Sequence, residues 1–266
     1  MESIEFFGLQ RTDHDNVWSL PVEQRVATGG QFLFGGCGLG AAVDLLGHLT
    51  GRPVVWATAQ FLSFARIGEV VDIVGTVVSS GRFTSQARAV AKVGDREILT
   101  VNGAFGERPA PWSRQWPVIP AAPEPADCPQ RTPRWPVAGS ITEIMEIRIA
   151  RGRQWPDLDG VATRDGRSLL WARVADLGVS PALLCILGDY VPYGIAQALG
   201  LGTIMSNSLD NTVRIHSLAP TEWVLIDISI DSVAAGFGHG EVRMWAQDGT
   251  LLGVATQTAI IRELKE

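Results

Sequence analysis

The chain has 266 residues, 46% of them hydrophobic and 19% charged, which is the composition of a folded globular protein with one large domain or two smaller ones. Its net charge of −6 argues against binding to nucleic acid or to an anionic membrane, because those partners require a basic face. It has no run of eighteen apolar residues and no basic-then-apolar amino terminus, so we expect neither a membrane span nor a secretory signal.

The cysteines and histidines exclude two further classes. The three cysteines are odd in number and far apart, which predicts a reducing, cytoplasmic setting rather than a disulfide framework. The four histidines show none of the spacings of metal sites. We therefore expect no metal and no bound cofactor. The residues concerned are Cys37, Cys128, Cys185, His14, His48, His216 and His239.

The first half of the chain predicts one helix followed by a run of strands. A helix of small residues is expected over about Phe34–Leu49, and side chains then alternate between apolar and polar, which is typical of a sheet with one covered face. The predicted strands lie near Val54–Phe64, Glu69–Val78, Arg82–Val93 and Glu97–Phe105.

A proline-rich stretch, Glu107–Pro136, comes next and predicts an extended, semi-rigid connector. It divides the chain into an amino-terminal unit (residues 1–108), a linker (109–139) and a carboxy-terminal unit (140–266).

The second half repeats the order of the first. Ser180 is a plausible N-cap with Pro181 at the first helical position, and Pro192 should kink or end the helix. This helix is apolar nearly all round, yet it carries Asp189, and a charge in such a helix is costly unless it is paired, hydrogen-bonded or functional. Strands are predicted near Ser206–His216, Glu222–Ser232, Gly238–Gln247 and Thr250–Arg262.

Matching pieces of the two halves lie roughly 150 to 154 positions apart, which indicates an internal duplication. Each unit would be one helix wrapped by a curved antiparallel sheet, so the fold class is α+β.

Several short phrases support a family resemblance. They are G-G-Q (29–31), I-M-E-I-R-I-A (144–150), G-D-Y (188–190), S-L-D-N-T-V-R-I-H (208–216) and D-G-T-L-L-G-V-A-T-Q (248–257). In their order and spacing they resemble the double hot-dog acyl-CoA thioesterases of the thioesterase II type, across nearly the whole chain. The resemblance implies a tandem hot-dog fold, an acyl-CoA substrate, a role in lipid metabolism and a homodimer or tetramer.

The resemblance also implies a catalytic set. The family uses a helix aspartate, a Thr or Ser on the next strand and a Gln on the last strand, which correspond to Asp189, Ser208 and Gln257. Asp189 would act on the attacking water as a base or anchor, and the other two would position it. A backbone N–H at a helix amino terminus would stabilise the oxyanion. Substrate-binding candidates are Gly30, Gln31, Phe61, Phe64 and Asp210.

A shift of 153 or 154 positions places Asp189 opposite Gly36 or Gly35, Ser208 opposite Val55 or Val54, and Gln257 opposite Ala104 or Gly103. The first unit has no carboxylate at the helix position. We therefore expect it to be non-catalytic, with one site per chain.

Alternatives remain for single residues. Asp189 could be a solvated residue at the kink, and Gln257 a buried amide bonded to backbone. Asp210 could be the working acid or a partner of Arg214. The G-C-G-L-G-A-A run (36–42) contains GxGxxA, but a series of alternating strands comes after it rather than a βαβ unit, so the glycines are expected to allow close helix packing on the sheet.

Two alternatives remain for the function. A hot-dog hydratase or dehydratase would need a buried Asp–His pair, and Asp44 with His48 is the one candidate pair. A non-catalytic acyl-CoA-binding protein is favoured if Asp189 is exposed to solvent.

Overall fold

The computed structural model of the chain describes residues 1–264. Five α-helices are assigned in that part of the chain: α1 (Ser3–Phe7), α2 (Gly35–Thr50), α3 (Ile141–Ile144), α4 (Pro181–Gly188) and α5 (Val191–Leu199). The strands are β1 (Gln10–Arg11), β2 (Val17–Pro21), β3 (Val54–Phe61), β4 (Val70–Ser80), β5 (Thr84–Val93), β6 (Arg96–Gly106), β7 (Met145–Arg151), β8 (Arg167–Val174), β9 (Ile204–Ser208), β10 (Asp210–Ile215), β11 (Val224–Ala234), β12 (Phe237–Ala246) and β13 (Leu251–Glu263).

All these strands belong to one antiparallel sheet. Its order is β1-β2-β4-β5-β6-β3-β10-β13-β12-β11-β8-β7, and β9 pairs with β13 beside β10. The predicted α+β class is therefore observed, with helices gathered on one face of an antiparallel sheet.

The two halves meet edge to edge where β3 pairs with β10. Thr58 lies opposite Thr212 in this pair, and their hydroxyls are 2.7 Å apart although the residues are 154 positions apart in the chain. The same shift relates the pairing inside each half: adding 154 to Val54 and Phe105, which are partners, gives Ser208 and Ala259, which are also partners. The pairing of β9 and β10 with β13 thus repeats the register of β3 with β6.

Helix α2 owes its position to glycine. A Cβ at Gly36 would lie 2.6 Å from the Cys185 carbonyl oxygen, and one at Gly40 would lie 3.3 Å from the Ala182 Cα. The glycines therefore bring α2 against the backbone of α4, in addition to the packing on the sheet that was expected of them. Gly38 does face the sheet, since its Cβ would meet the Leu99 side chain at 2.7 Å.

The second helix is divided in two. The Ser180 side chain accepts a hydrogen bond from the Leu183 N–H at 3.2 Å, which confirms the predicted N-cap. Helix α4 ends at Gly188 and α5 begins at Val191, with Pro192 in its first turn, where a missing N–H costs nothing. The break therefore falls at Asp189 and Tyr190, before the proline.

By length and composition, the stretch 181–199 could cross a membrane, and 78% of its most apolar window is buried inside the protein. That burial is typical of a core helix.

Most predicted strands are observed within a few residues, with two differences. The strand expected over Ser206–His216 is broken at Leu209 into β9 and β10. Leu209 there donates to the Thr258 carbonyl and accepts from the Phe61 N–H. The strands β1, β2, β7 and β8 were not predicted. In β8 nearly all side chains are buried on both faces, so no alternation marks it.

The proline-rich stretch packs on the outer face of the second half's sheet. A separate apolar cluster forms there, and its buried members are Cys128, Leu169, Trp171, Trp223, Leu225, Trp245 and Leu251. The Trp171 indole N–H donates to the Pro123 carbonyl at 2.8 Å and fixes the stretch to β8.

Candidate active site

The candidate site is built at the break between α4 and α5. Asp189 is the C-cap of α4 and is only 7% exposed. The interpretation of Asp189 as a solvated residue at a kink is therefore wrong. A buried carboxylate requires hydrogen-bond donors, and three reach it.

Two donors reach one carboxylate oxygen. Oδ1 of Asp189 accepts from the Gln257 Nε2 in a short hydrogen bond and from the Ser208 hydroxyl at 3.1 Å. Gln257 Nε2 also lies 3.2 Å from the Ser208 Oγ, so the three side chains form a closed triangle. The orientation of the Gln257 amide is fixed by a further hydrogen bond, in which its Oε1 accepts from the Val191 N–H at 3.1 Å.

The third donor comes from the other half of the chain. The backbone N–H of Gly36, in the first turn of α2, donates to Oδ2 of Asp189 at 2.8 Å. This end of a helix carries free N–H groups and partial positive charge, which favour a nearby anion. The amino-terminal half thus contributes directly to the carboxylate. Sequence reasoning missed this contact, and its one signal was the shift of 153 positions that set Asp189 opposite Gly36.

One side of Oδ2 remains uncovered by protein donors. A carboxylate oxygen has about two lone-pair sites, and only the Gly36 N–H occupies one on Oδ2 among the described residues. A Cβ at Gly35 would lie 2.7 Å from this oxygen and 2.9 Å from the Phe61 Cζ. Glycine at position 35 therefore leaves Oδ2 approachable on the side where the Phe61 ring lies.

Burial is the largest influence on the pKa of Asp189. Desolvation raises the pKa of Asp189 to about 6, and the hydrogen bonds from Gln257, Ser208 and Gly36 oppose the rise. At neutral pH the group is thus a carboxylate, and it is a stronger base than an ordinary aspartate. This combination suits general-base catalysis.

The predicted substrate-binding residues of the first half differ in their burial. Gly30 and Gln31 are exposed in the turn that leads into α2, and Gln31 has a left-handed backbone at φ 64°. Phe61 is half-buried beside Gly35. Phe64 is 52% exposed and packs on Phe32 with ring centroids 4.7 Å apart.

Asp210 makes no hydrogen bond to the three side chains of the triangle among the described residues. Its Oδ1 accepts from the Thr258 N–H at 2.9 Å, so it is bound to the backbone of β13 rather than to Arg214. The strand break at Leu209 separates Ser208, the last residue of β9, from Asp210, the first residue of β10, and interrupts the alternation that would put the two side chains on one face.

The residues of the hydratase alternative do not pair. His48 Nε2 lies 2.9 Å from Asp15, while Asp44 is turned toward Ser3 and burial raises its pKa to about 6. The dinucleotide interpretation of the GxGxxA run is also wrong, because α2 is followed by antiparallel strands.

Neither thiol next to the site is suited to attack. Cys37 and Cys185 are fully buried, and desolvation raises the pKa of both well above the usual value. The described residues contain no group of three side chains that could hold a metal ion.

The fold and the site together define a class: a helix-wrapping antiparallel sheet with a buried, hydrogen-bonded carboxylate suited to activating water. Residues 120–261 match the family model of the acyl-CoA thioesterase C-terminal domain. The chain therefore belongs to the acyl-CoA thioesterase family, as the short phrases of the sequence predicted, and it is a thioester hydrolase.

Solved structures agree over the whole chain. A protein from Novosphingobium aromaticivorans DSM 12444 that is assigned as a thioesterase is 33% identical, with 97% of this chain and 98% of that one covered and a TM-score of 0.85. A hot-dog protein of unknown function from Alicyclobacillus acidocaldarius is 19% identical over all of both chains, with a TM-score of 0.84. An acyl-CoA thioesterase II from Mycobacterium marinum is 22% identical over 98% of both, with a TM-score of 0.77.

The likeness to the last two shows the hot-dog fold. A search of curated proteins found none that matches.

Proposed function

We propose that the chain hydrolyses acyl-CoA to a free acid and CoA through a water activated by Asp189. The observation that carries the proposal is the buried Asp189 carboxylate, which binds Gln257 and Ser208 on one oxygen and Gly36 on the other. A water that donates to the uncovered side of Oδ2 would lie beside Gly35 and Phe61, where a thioester could approach.

In the proposed reaction one residue, Asp189, first accepts a proton and later returns it. The water oxygen bonds to the thioester carbonyl carbon while its proton passes to Asp189, and the carbonyl oxygen becomes an oxyanion. When the intermediate collapses, the carbon–sulfur bond breaks and Asp189 returns the proton to the CoA sulfur. Asp189 is then ready for another water, and no covalent acyl-enzyme is formed.

Gln257 and Ser208 act by holding the carboxylate. Both of their hydrogen bonds to Oδ1 favour the charged form of Asp189, which keeps the pKa from rising further. Ser208 retains the hydroxyl of the Thr common in the family, without the rotamer restriction of a β-branched side chain.

The first turn of α2 is the proposed source of the oxyanion donor. The N–H groups of Cys37 and Gly38 donate to the Phe34 carbonyl, and that of Gly36 donates to Asp189. Within residues 1–264 this leaves the Gly35 N–H without a protein acceptor. It lies beside the uncovered side of Oδ2, where the thioester carbonyl would be placed.

We further propose that the chain is a tandem hot-dog, with units 1–108 and 140–266 joined by the proline-rich segment 109–139. The shared register at a shift of 154 supports the duplication. Under this proposal the first unit carries no acid of its own and completes the site of the second. The proposed protein is a homo-oligomer that acts in lipid metabolism in a reducing cytoplasm. The three buried free cysteines fit a reducing setting.

Release of CoA thiol from acyl-CoA of short, medium and long chains tests the proposal. We expect hydrolysis with a preferred chain length, and a loss of at least about a thousand-fold in Asp189→Asn. CoA release that is absent for every chain length, or equal in the variant, would contradict it. Binding of acyl-CoA without hydrolysis would instead favour the acyl-CoA-binding alternative.

A further inference from the structure

A second site is indicated by Arg134, which lies between two tryptophans. Its guanidinium carbon is 4.4 Å from the ring centroids of both Trp135 and Trp155. One of its nitrogens, Nη1, donates to the Ile204 carbonyl at 2.7 Å, which holds the side chain at the start of β9. The cation is therefore placed by its surroundings, with its remaining N–H groups available.

This arginine has no carboxylate partner. Most arginines around the second half form ion pairs with Asp or Glu, among them Arg153 with Asp159 and Arg167 with Asp227. No ion pair within residues 1–264 includes Arg134, although the chain carries a net charge of −6. Partial burial lowers its pKa, and a partly desolvated cation without a counter-charge favours an anionic ligand.

Two segments connect this arginine to the proposed catalytic carboxylate. Strand β9 runs from Ile204, which binds Arg134, to Ser208, which binds Asp189, and it spans about 13 Å at the usual rise per residue. The turn 28–31 also packs on the connector, because a Cβ at Gly29 would lie 2.4 Å from the Trp135 carbonyl oxygen. That turn leads directly into α2 and the Gly36 N–H.

The distance from Arg134 to Asp189 and the positive charge of Arg134 suit the phosphopantetheine part of acyl-CoA. Pantetheine is built like a short extended peptide, so it covers a comparable distance between its thiol and its phosphate. Arginine binds phosphate oxygens in a fork geometry that lysine lacks. Trp135 is 48% exposed, and an exposed indole is a platform on which a base can stack.

We propose that Arg134, held between Trp135 and Trp155, binds the phosphates of the CoA nucleotide while the thioester lies at Asp189. The inference rests on the proposed function and adds what the site recognises at the far end of its substrate. A phosphate on pantetheine could also belong to a carrier protein, and the experiment separates these two sources.

The test compares three thioesters of one acyl group: acyl-CoA, acyl-phosphopantetheine and acyl-pantetheine. In Arg134→Gln we expect KM for acyl-CoA to rise roughly ten- to a hundred-fold, because a charged hydrogen bond to phosphate is lost. Hydrolysis of acyl-pantetheine should stay within about two-fold, since that substrate has no phosphate to bind. Equal loss for all three substrates, or no loss for acyl-CoA, would overturn the proposal.

The third substrate identifies the source of the phosphate. If Arg134→Gln and Trp135→Ala affect acyl-CoA but not acyl-phosphopantetheine, the nucleotide is what the site recognises, as proposed. If both phosphorylated substrates respond equally to both variants, the pantetheine phosphate alone is recognised, and assignment to the nucleotide is overturned.

Arg52→Gln is the matched control. Like Arg134, Arg52 donates a hydrogen bond from its guanidinium to a backbone carbonyl, that of Gly81, at 2.8 Å. It forms no ion pair among the described residues. It lies just beyond the far end of α2, about 24 Å from Gly36 along the helix. We expect it to leave KM unchanged for all three substrates.

Binding of CoA itself separates this proposal from the proposed activity. CoA should quench tryptophan fluorescence in the wild type and bind roughly ten-fold or more weakly to Arg134→Gln, even if no thioester is hydrolysed. Equal affinity of the two proteins for CoA would contradict the site, whatever the activity.

Discussion

The two halves of the molecule pair matching strands in the same register but differ at the positions that carry chemistry. At the common shift of 154, the first half has Val54 and Gly103 where the second half has Ser208 and Gln257. The first half contributes the N–H of Gly36 to the carboxylate, and this N–H reaches Asp189 because α2 and α4 touch. The comparison teaches that one half can lose the side chains of a site and still form part of it through its backbone.

The halves also differ in how their outer faces are covered. In the second half, the proline-rich stretch covers the tryptophan-rich cluster on the outer face of the sheet. In the first half, β4 leaves Val70, Val74 and Val78 exposed, by 47%, 39% and 62% respectively. The proline-rich stretch thus gives the second half an apolar layer on the outer face of its part of the sheet.

Gly36→Ala is the strongest way to break the link between the halves. A Cβ there would lie 2.6 Å from the Cys185 carbonyl and 2.7 Å from the Ile186 Cα, both of which are backbone. Separation of α2 from α4 should cost roughly 3 kcal/mol or more of unfolding free energy and pull the N–H away from Asp189. Chemical denaturation would measure the loss.

Gly47→Ala is the control for that variant. It lies in the same helix, and its Cβ would come no closer to a neighbour than 3.8 Å from the Arg52 carbonyl oxygen. Here we expect no loss and up to about 1 kcal/mol of added stability, because alanine is the better helix former. Similar losses in the two variants would show that close packing of α2 on α4 is not what Gly36 provides.

Gln257→Glu sharpens the comparison at the last strand. The new carboxylate would face Oδ1 of Asp189, and two carboxylates in contact share a proton, so the apparent pKa of the pair rises. We expect the acid limb of the pH–activity profile to move up by about one to two units, and activity at pH 7 to fall roughly two- to ten-fold.

Gln86→Glu makes the same charge change on the exposed face of β5 and should leave the profile unchanged. An unmoved acid limb in Gln257→Glu would contradict the assignment of Asp189 as the titrating group.

Asp189→Asn should alter stability with pH. The pKa of Asp189 in the folded protein, about 6, lies above its usual value of 3.8, so folding favours the protonated form. Asp189 therefore makes the wild type lose stability as pH rises through this range, and the variant lacks this contribution. The whole shift is worth about 3 kcal/mol, of which roughly half is expressed between pH 5 and 8.

Denaturation curves at the two pH values measure this change. The free energy of unfolding of the variant minus that of the wild type should grow by about 1–2 kcal/mol from pH 5 to pH 8. Asp227→Asn is the contrasting case: Asp227 is buried but paired with Arg167, so its loss should destabilise the protein at pH 8. A constant difference for Asp189→Asn would contradict the raised pKa.

The helices and the strands of the two meanders could be predicted because their signals are local. Alternation of period two marked β4, β5, β11 and β12, and the Ser180–Pro181 pair marked the start of α4. The strand β8 has no such signal because both of its faces are buried. The core covers its inner face and the connector covers its outer face. That second layer depends on contacts between residues far apart in the chain, such as Trp171 with Pro123.

For the candidate site, the side chains could be proposed from the sequence, but the backbone contact of Gly36 could not. Asp189, Ser208 and Gln257 were proposed from a resemblance, and the structure places them within hydrogen-bond distance of one another. The Gly36 N–H left no mark of its own, because every residue but proline has an N–H and only packing selects one. Arg134 was likewise hidden in a stretch that composition describes as a linker, since its meaning depends on Trp155 and Ile204, which are distant in sequence.

The pH dependence of kcat/KM for acyl-CoA hydrolysis tests the central claim most directly, that the second half buries Asp189 so that it acts as the base on water. We predict that log kcat/KM rises with unit slope at low pH, bends at about pH 6 and stays level above it, because the carboxylate is the active form. The bend should be absent from the residual activity of Asp189→Asn. A profile that is flat from pH 5 to 8, or a bend that survives in the variant, would contradict the account.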